Sequence, residues 1–167
     1  MIIGIDPGAT GAIAFNIGGY VEVYDLPIVR TPLKRRTKKG KKKTEGRLDY
    51  EKFRELIHQF SVSSADIVVF EKVHSMPGNS PSTSFTFGRI VGQLEGVLSG
   101  STEITYVTPQ AWKKYHGLLK QPKEASVELA RQKYPGMKWL KTKDGRSDAV
   151  LIAEYGRYLF NLTKERP

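Results

Sequence analysis

Four acidic residues occupy positions that could support chemistry. Asp6 ends an apolar segment and precedes a Pro-Gly pair, and Glu71 ends a second apolar segment. Asp144 and Asp148 are four residues apart near the start of the last predicted helix. Carboxylates without His or Cys partners suit Mg²⁺ or Mn²⁺ and not Zn²⁺. Two such ions, about 3.5–4 Å apart, activate water for in-line attack on a phosphodiester. These residues predict nuclease chemistry.

Each acid also has a plainer interpretation. Asp-Pro-Gly occurs in ordinary turns, and an acid followed by small residues also opens ATPase-like folds in which backbone amides hold phosphate. A Glu at a strand end is often without consequence, although so apolar a strand is expected in the centre of a sheet. Asp144 or Ser147 can serve as a helix N-cap. Asp144 and Asp148 share a helix face only if that helix begins early.

The elements that must position these acids alternate along the chain. Residues 1–26 predict a three-stranded antiparallel meander, with Gly8 and Gly11 allowing its first turn. Short apolar runs then predict strands at 66–71 and 104–107. Helical spacing predicts helices at 48–60, 85–98, 109–115, 123–134 and 147–160, and a loop is expected at 75–84. The pattern predicts one α/β domain over residues 1–167.

Composition restricts the class of protein. A chain of 167 residues is long enough for one well-buried domain. The absence of cysteine excludes disulfides and thiolate metal sites. Met1 leads directly into the first strand, and no segment has the length of a membrane span, so we expect a soluble, cytoplasmic protein without membrane association.

The net charge of +10 is concentrated in residues 30–47, which hold ten Lys or Arg residues and one Glu. This run has almost no apolar side chains, so it is expected to form a mobile loop or a hairpin insertion. A solvated linker or a targeting tag would explain it, but such dense charge favours an arm that binds nucleic acid phosphates without reading sequence. The candidate DNA-binding residues are Arg35, Arg36, Lys38, Lys39, Lys41, Lys42 and Lys43.

Three segments together resemble the RuvC family of Holliday-junction resolvases, within the RNase H-like superfamily: GIDPGATG, VVFEKV and SDAVLIAEY. The segments EKVHSMPG, SFTFGR and VTPQAWK resemble its phage and prophage branch in particular. The resemblance implies an RNase H-like fold with a mixed five-stranded sheet, in which an antiparallel meander is followed by parallel strands, flanked by helices. It also implies a homodimer that cuts two strands of a four-way DNA junction.

The resemblance assigns metal-binding roles to Asp6, Glu71 and Asp148, with a fourth ligand just upstream of Asp148. Asp144 is the candidate, although the family spaces this pair by three residues and this chain by four. The basic run has no counterpart of such density in the cellular enzymes.

The resemblance also extends to residues that would contact DNA. Lys113 matches a family lysine near the cleaved strand, Lys114 is adjacent to it, and Lys123 falls one position from another such lysine. His74 and Met76 are candidates for a side chain inserted at the junction centre, although His74 can equally be an ordinary loop residue.

One predicted helix contains a glycine stripe and two phenylalanines that need an explanation. Gly88, Gly92 and Gly96 recur every four residues, so this helix approaches either its own sheet or a second copy across a two-fold axis. Phe85 and Phe87 are explained more simply by core packing than by stacking on bases.

Three functions remain open from sequence. The first is a junction-selective, metal-dependent endonuclease. The second is an RNase H-like nuclease that cuts forks, flaps or RNA with the same acids. The third is a non-catalytic nucleic-acid-binding or ATPase-like protein, which is disfavoured because holding phosphate would not require Glu71 and Asp148.

Overall fold

The computed structural model describes residues 1–36, 40, 42–74, 78–137 and 145–164. The predictions for Lys38, Lys39, Lys41, Met76 and Asp144 lie outside these residues. In chain order the described elements are β1 (Ile2–Asp6), β2 (Ala12–Ile17), β3 (Tyr20–Asp25), β4 (Ile28–Arg36), β5 (Lys42–Leu48), α1 (Tyr50–Gln59), β6 (Ile67–Glu71), α2 (Pro81–Leu98), β7 (Ile104–Val107), α3 (Pro109–Tyr115), α4 (Glu124–Lys133) and α5 (Gly145–Lys164).

The main sheet has five strands in the order β3-β2-β1-β6-β7. Strands β1, β2 and β3 form an antiparallel meander, and β6 and β7 continue the sheet parallel to β1. This arrangement confirms the predicted mixed sheet. The apolar β6 lies inside the sheet, as its composition predicts.

The two faces of the sheet have different cores because successive side chains on a strand point to opposite faces. Ile3 and Ile5 of β1 pack with residues of α1 and α2. The alternate positions of the sheet face α5, where Ala12 and Ala14 of β2 pack against Ala149. The face covered by α5 is therefore lined by small residues, which allow the helix to lie close to the sheet.

Two glycines permit this close approach of α5. A Cβ atom added to Gly4 would overlap the Ala149 carbonyl oxygen and the Ala153 amide nitrogen. A Cβ atom added to Gly156 would overlap the Val69 side chain. The position of α5 is consequently fixed against both β1 and β6.

Several helix boundaries differ from the predicted ones. Helix α2 begins at Pro81 and not at residue 85, because Ser80 is its N-cap and accepts a hydrogen bond from the Thr83 amide at 3.2 Å. Helix α5 begins at Gly145 and not at residue 147. Asp148 therefore lies in its first turn.

The basic run contributes to a two-stranded antiparallel ribbon formed by β4 and β5. Its base is attached to the rest of the protein. Arg30 donates a hydrogen bond to the Ala9 carbonyl at 3.0 Å, in the turn that follows β1. Arg89 of α2 donates to the Gly46 carbonyl at 2.9 Å and forms an ion pair with Glu45 at 3.1 Å. The ribbon is therefore held between that turn and α2.

The glycine stripe of α2 faces solvent. Gly88, Gly92 and Gly96 are exposed, and among the described residues no atom lies within 4 Å of a Cβ atom built on any of them. The stripe does not bring α2 close to its own sheet. Contact with a second copy stays a prediction.

Exposure also corrects the expectation for Phe85. Its side chain is 68% exposed, so core packing does not explain it. Phe87 is partly buried and contacts the turn after β1, since a Cβ atom on Gly8 would lie 3.3 Å from its ring.

No helix in the described parts of the chain is both long and apolar enough to cross a membrane.

Candidate active site

Asp6 and Glu71 lie side by side at one edge of the sheet. In the parallel pair of β1 and β6, Ile5 is in register with Phe70, so the next residue of each strand is an acid. Ile5 and Phe70 both point into the core beneath α1 and α2. By alternation, the two acids point to the opposite face, which α5 covers.

The first turn of α5 brings Asp148 to the same edge. Gly145 lies against Asp6, because a Cβ atom at Gly145 would be 2.9 Å from Asp6 Oδ2. Arg146 fixes the start of the helix by donating two hydrogen bonds to the Asp25 carboxylate, at 2.6 and 2.7 Å. The three acids, which come from three separate elements, therefore lie close enough to interact electrostatically.

The pKa values show that these acids affect one another. Burial raises the pKa of Asp6 well above its usual range, and the nearby charges of Glu71 and Asp148 raise it further, while Lys113 opposes the rise. Burial also raises the pKa of Glu71, against a hydrogen bond from Trp112 that lowers it. The site thus concentrates negative charge that a cation would stabilise.

Trp112 is a site residue that sequence reasoning missed. Its side chain is fully buried, and its indole Nε1 donates a hydrogen bond to Glu71 Oε1 at 2.8 Å. It lies on α3, which Thr108 caps, and the next residue, Lys113, places Nζ 5.1 Å from the Trp112 ring centroid. The available signal was a tryptophan directly before the candidate lysine, in the helix that follows strand β7.

Asp6 and Asp148 open onto a cavity of about 450 Å³. The cavity combines acids, lysines and a loop, and is lined by Asp6, Thr10, Lys113, Ser126, Gly145, Asp148 and residues 118–123. Two predicted lysines, Lys113 and Lys123, therefore line the same cavity as Asp6 and Asp148.

Other predicted DNA-binding residues lie elsewhere. Lys114 and His74 are exposed and do not line the cavity. Lys42 is exposed on β5, which also contains Lys43, and β4 ends with Arg35 and Arg36.

The donor set fits a hard divalent cation. Among the residues that the structure describes, no group of three or more His, Asp or Glu side chains is already arranged to hold a metal ion. Burial raises the pKa of Asp6, and repulsion from Glu71 and Asp148 raises it further. A cation between them would remove that repulsion, and carboxylate oxygens are ligands that Mg²⁺ and Mn²⁺ prefer.

No family model matches the chain, and no curated protein sequence is similar to it. Solved protein structures, by contrast, do resemble the structure of this chain. The sheet order and flanking helices define an α/β fold of the RNase H-like class. Within that class the fold is RuvC-like. The Thermus thermophilus RuvC structure aligns with a TM-score of 0.57 and 16% identity over 98% of this chain and 97% of the other. Thermus thermophilus RuvC in complex with a Holliday junction substrate aligns with the same TM-score and identity, over 99% and 97%.

Proposed function

We propose that this chain is a metal-dependent endonuclease that resolves four-way DNA junctions by paired strand cleavage. The observation that carries the proposal is a cavity lined by Asp6, Asp148 and Lys113, with Glu71 beside Asp6 at the end of the neighbouring strand. The RuvC-like fold supports it, and one structural neighbour is in complex with a Holliday junction substrate. The segment resemblance favours the phage and prophage branch.

In this proposal Asp6, Glu71 and Asp148 hold two divalent cations, Mg²⁺ or Mn²⁺, with Asp144 as a further ligand. When bound, these ions supply activation of water and stabilisation of the leaving oxygen. Trp112 restrains the Glu71 carboxylate through its hydrogen bond, which fixes the direction of the Oε1 lone pairs. Lys113 attracts the phosphate that the acids alone would repel.

The decisive experiment compares cleavage of a four-way junction, a fork, a flap, a linear duplex and an RNA–DNA hybrid, each with Mg²⁺ or Mn²⁺. We expect symmetrical paired nicks in the junction and little cleavage of the duplex. Equal cleavage of forks, flaps or the hybrid would instead identify a nuclease of broader selectivity. Binding without cleavage of any substrate would identify a non-catalytic nucleic-acid-binding protein.

The basic ribbon is proposed to hold phosphates outside the cavity. Replacing Lys38, Lys39, Lys41, Lys42 and Lys43 with Ser removes five positive charges. We expect weaker binding to junction and duplex alike, with the slope of log K against log salt falling by about 0.9 for each lost phosphate contact.

Cleavage by this ribbon variant at saturating protein should survive, because none of the described ribbon residues lines the cavity. The measurement is a salt titration of binding, followed by single-turnover cleavage. An unchanged salt slope together with lost turnover would contradict the phosphate-binding role.

A homodimer is proposed to place two active sites on the two strands that are cut. The exposed glycine stripe of α2 is its proposed contact, because small residues allow backbones to approach closely. Gly92→Leu is expected to separate the subunits, and sedimentation velocity would measure it. Gln132→Leu, at an exposed position of α4, is the matched control and should leave the mass unchanged. A wild-type protein that cleaves junctions as a monomer at every concentration would contradict the dimer.

A further inference from the structure

One wall of the cavity is the connector between α3 and α4, residues 118–123. Its backbone is hydrogen-bonded internally. The Leu118 amide donates to the Lys113 carbonyl at 2.7 Å, and the Gln121 amide donates to the Leu118 carbonyl at 3.2 Å. The side chain of Leu118 also packs against the core beside Trp112. The connector is therefore attached to the helix that carries Lys113.

Lys120 in this connector has an unfavourable backbone conformation. Its φ of 60° lies in the left-handed region, which is unfavourable for a residue with a Cβ atom. Such conformations persist where the surrounding structure imposes them, and they are concentrated at ligand-binding and catalytic sites. Here the conformation occurs where the chain lines the same cavity as Asp6 and Asp148.

The side chains of the connector differ in the groups that they could bind. Lys120 and Lys123 are exposed cations that suit phosphate, and Leu119, 43% exposed, offers an apolar surface. Gln121 is an exposed, neutral residue of the cavity wall with both hydrogen-bond donors and an acceptor. Among the described residues, none forms a hydrogen bond with its side-chain amide. An amide of this kind can donate to and accept from one base edge at once, a pairing that a lysine cannot make.

Building on the proposed function, we propose that the connector is a nucleotide subsite. In it Gln121 contacts the base beside the cleaved bond and sets the sequence preference of cleavage. Lys120 and Lys123 hold the neighbouring phosphates, so the lysines contribute affinity and Gln121 contributes discrimination.

The test uses junctions that differ only in the base on each side of the cleaved bond. Wild-type protein should cut some of these sequences faster than others. In Gln121→Ala the ratio between the best and the worst sequence should fall at least about fivefold. Gln121→Glu, which keeps the shape but loses the donors, should change which sequence is best. Gln132→Ala removes an exposed amide on α4 and should leave the ratio unchanged. Equal ratios in wild type and Gln121→Ala, or a wild type without preference, would overturn the subsite.

A second readout separates this inference from the proposed function. In an Asp6→Asn background and in EDTA, the affinity for short single strands that differ in one base is measured with and without Gln121→Ala. Affinity that depends on the base, and that Gln121→Ala makes independent of the base, supports the subsite. This holds even if the wild-type protein cleaves none of the junctions, because the lack of cleavage would contradict only the nuclease assignment. Affinity that is the same for all four bases overturns the subsite even if the protein is a nuclease.

Discussion

Asp6→Asn, Glu71→Gln and Asp148→Asn are each expected to reduce junction cleavage by at least about a thousandfold, which corresponds to about 4 kcal/mol of transition-state stabilisation. Each amide keeps the size of the carboxyl group and removes the charge that a divalent cation requires. Burial raises the pKa of Asp6 and repulsion from Glu71 and Asp148 raises it further, so Asp6 interacts with both of the other acids.

Junction binding by the three variants should persist, measured by gel shift in EDTA, and affinity can rise as repulsion of phosphate falls. Asp49→Asn is the matched control: it makes the same chemical change at the N-cap of α1, where Asn caps as well as Asp, and should leave turnover intact. Any variant of the three acids with near wild-type turnover at limiting metal would show that its residue is not a ligand. Asp144→Asn is expected to have a smaller effect, because its spacing departs from the family pattern.

Gly4→Ala is expected to lower the free energy of unfolding by about 3 kcal/mol, a large effect for one methyl group. The new Cβ atom would overlap backbone atoms of Ala149 and Ala153, so either α5 or β1 must move. Urea unfolding monitored by circular dichroism measures the change. Because Asp148 lies next to Ala149, the same shift should also lower the cleavage rate of the molecules that remain folded.

Gly92→Ala is the control for this prediction, since it makes the same substitution at an exposed helical position where nothing lies within 4 Å of the new atom. There alanine should raise stability by about 0.5–1 kcal/mol, because it restricts the unfolded chain and favours helix. At concentrations where the protein is monomeric, the two substitutions should change the free energy of unfolding in opposite directions. A neutral effect of Gly4→Ala would show that α5 does not lie so close to the sheet.

The arrangement of the sheet could be predicted because its signals are local. Each of the two apolar segments, which end in Asp6 and Glu71, is four or five residues long. Within that length the sequence indicates both a strand and an acid at its end. The apolar composition of β6 also predicts its internal position, and adjacent parallel strands end at the same edge. These facts suffice to expect the two acids together.

The remaining features depend on contacts between distant parts of the chain. The hydrogen bond from Trp112 to Glu71 joins residues 41 positions apart, and no periodicity reports such a contact. The proximity of Gly145 to Asp6 likewise follows from the docking of α5. The start of α2 was missed for a different reason, since the Ser and Pro residues that form its N-cap also favour loops.

The docking of α5 on β1 has a consequence for the timing of synthesis. Asp6 and Glu71 leave the ribosome before α5, yet the third acid and the wall at Gly145 exist only after α5 has been made and has packed against the first strand. This contact joins distant parts of the chain, and such contacts form slowly. A nascent chain that lacks α5 therefore carries an incomplete set of acids, and we expect it to leave nearby nucleic acid intact during translation.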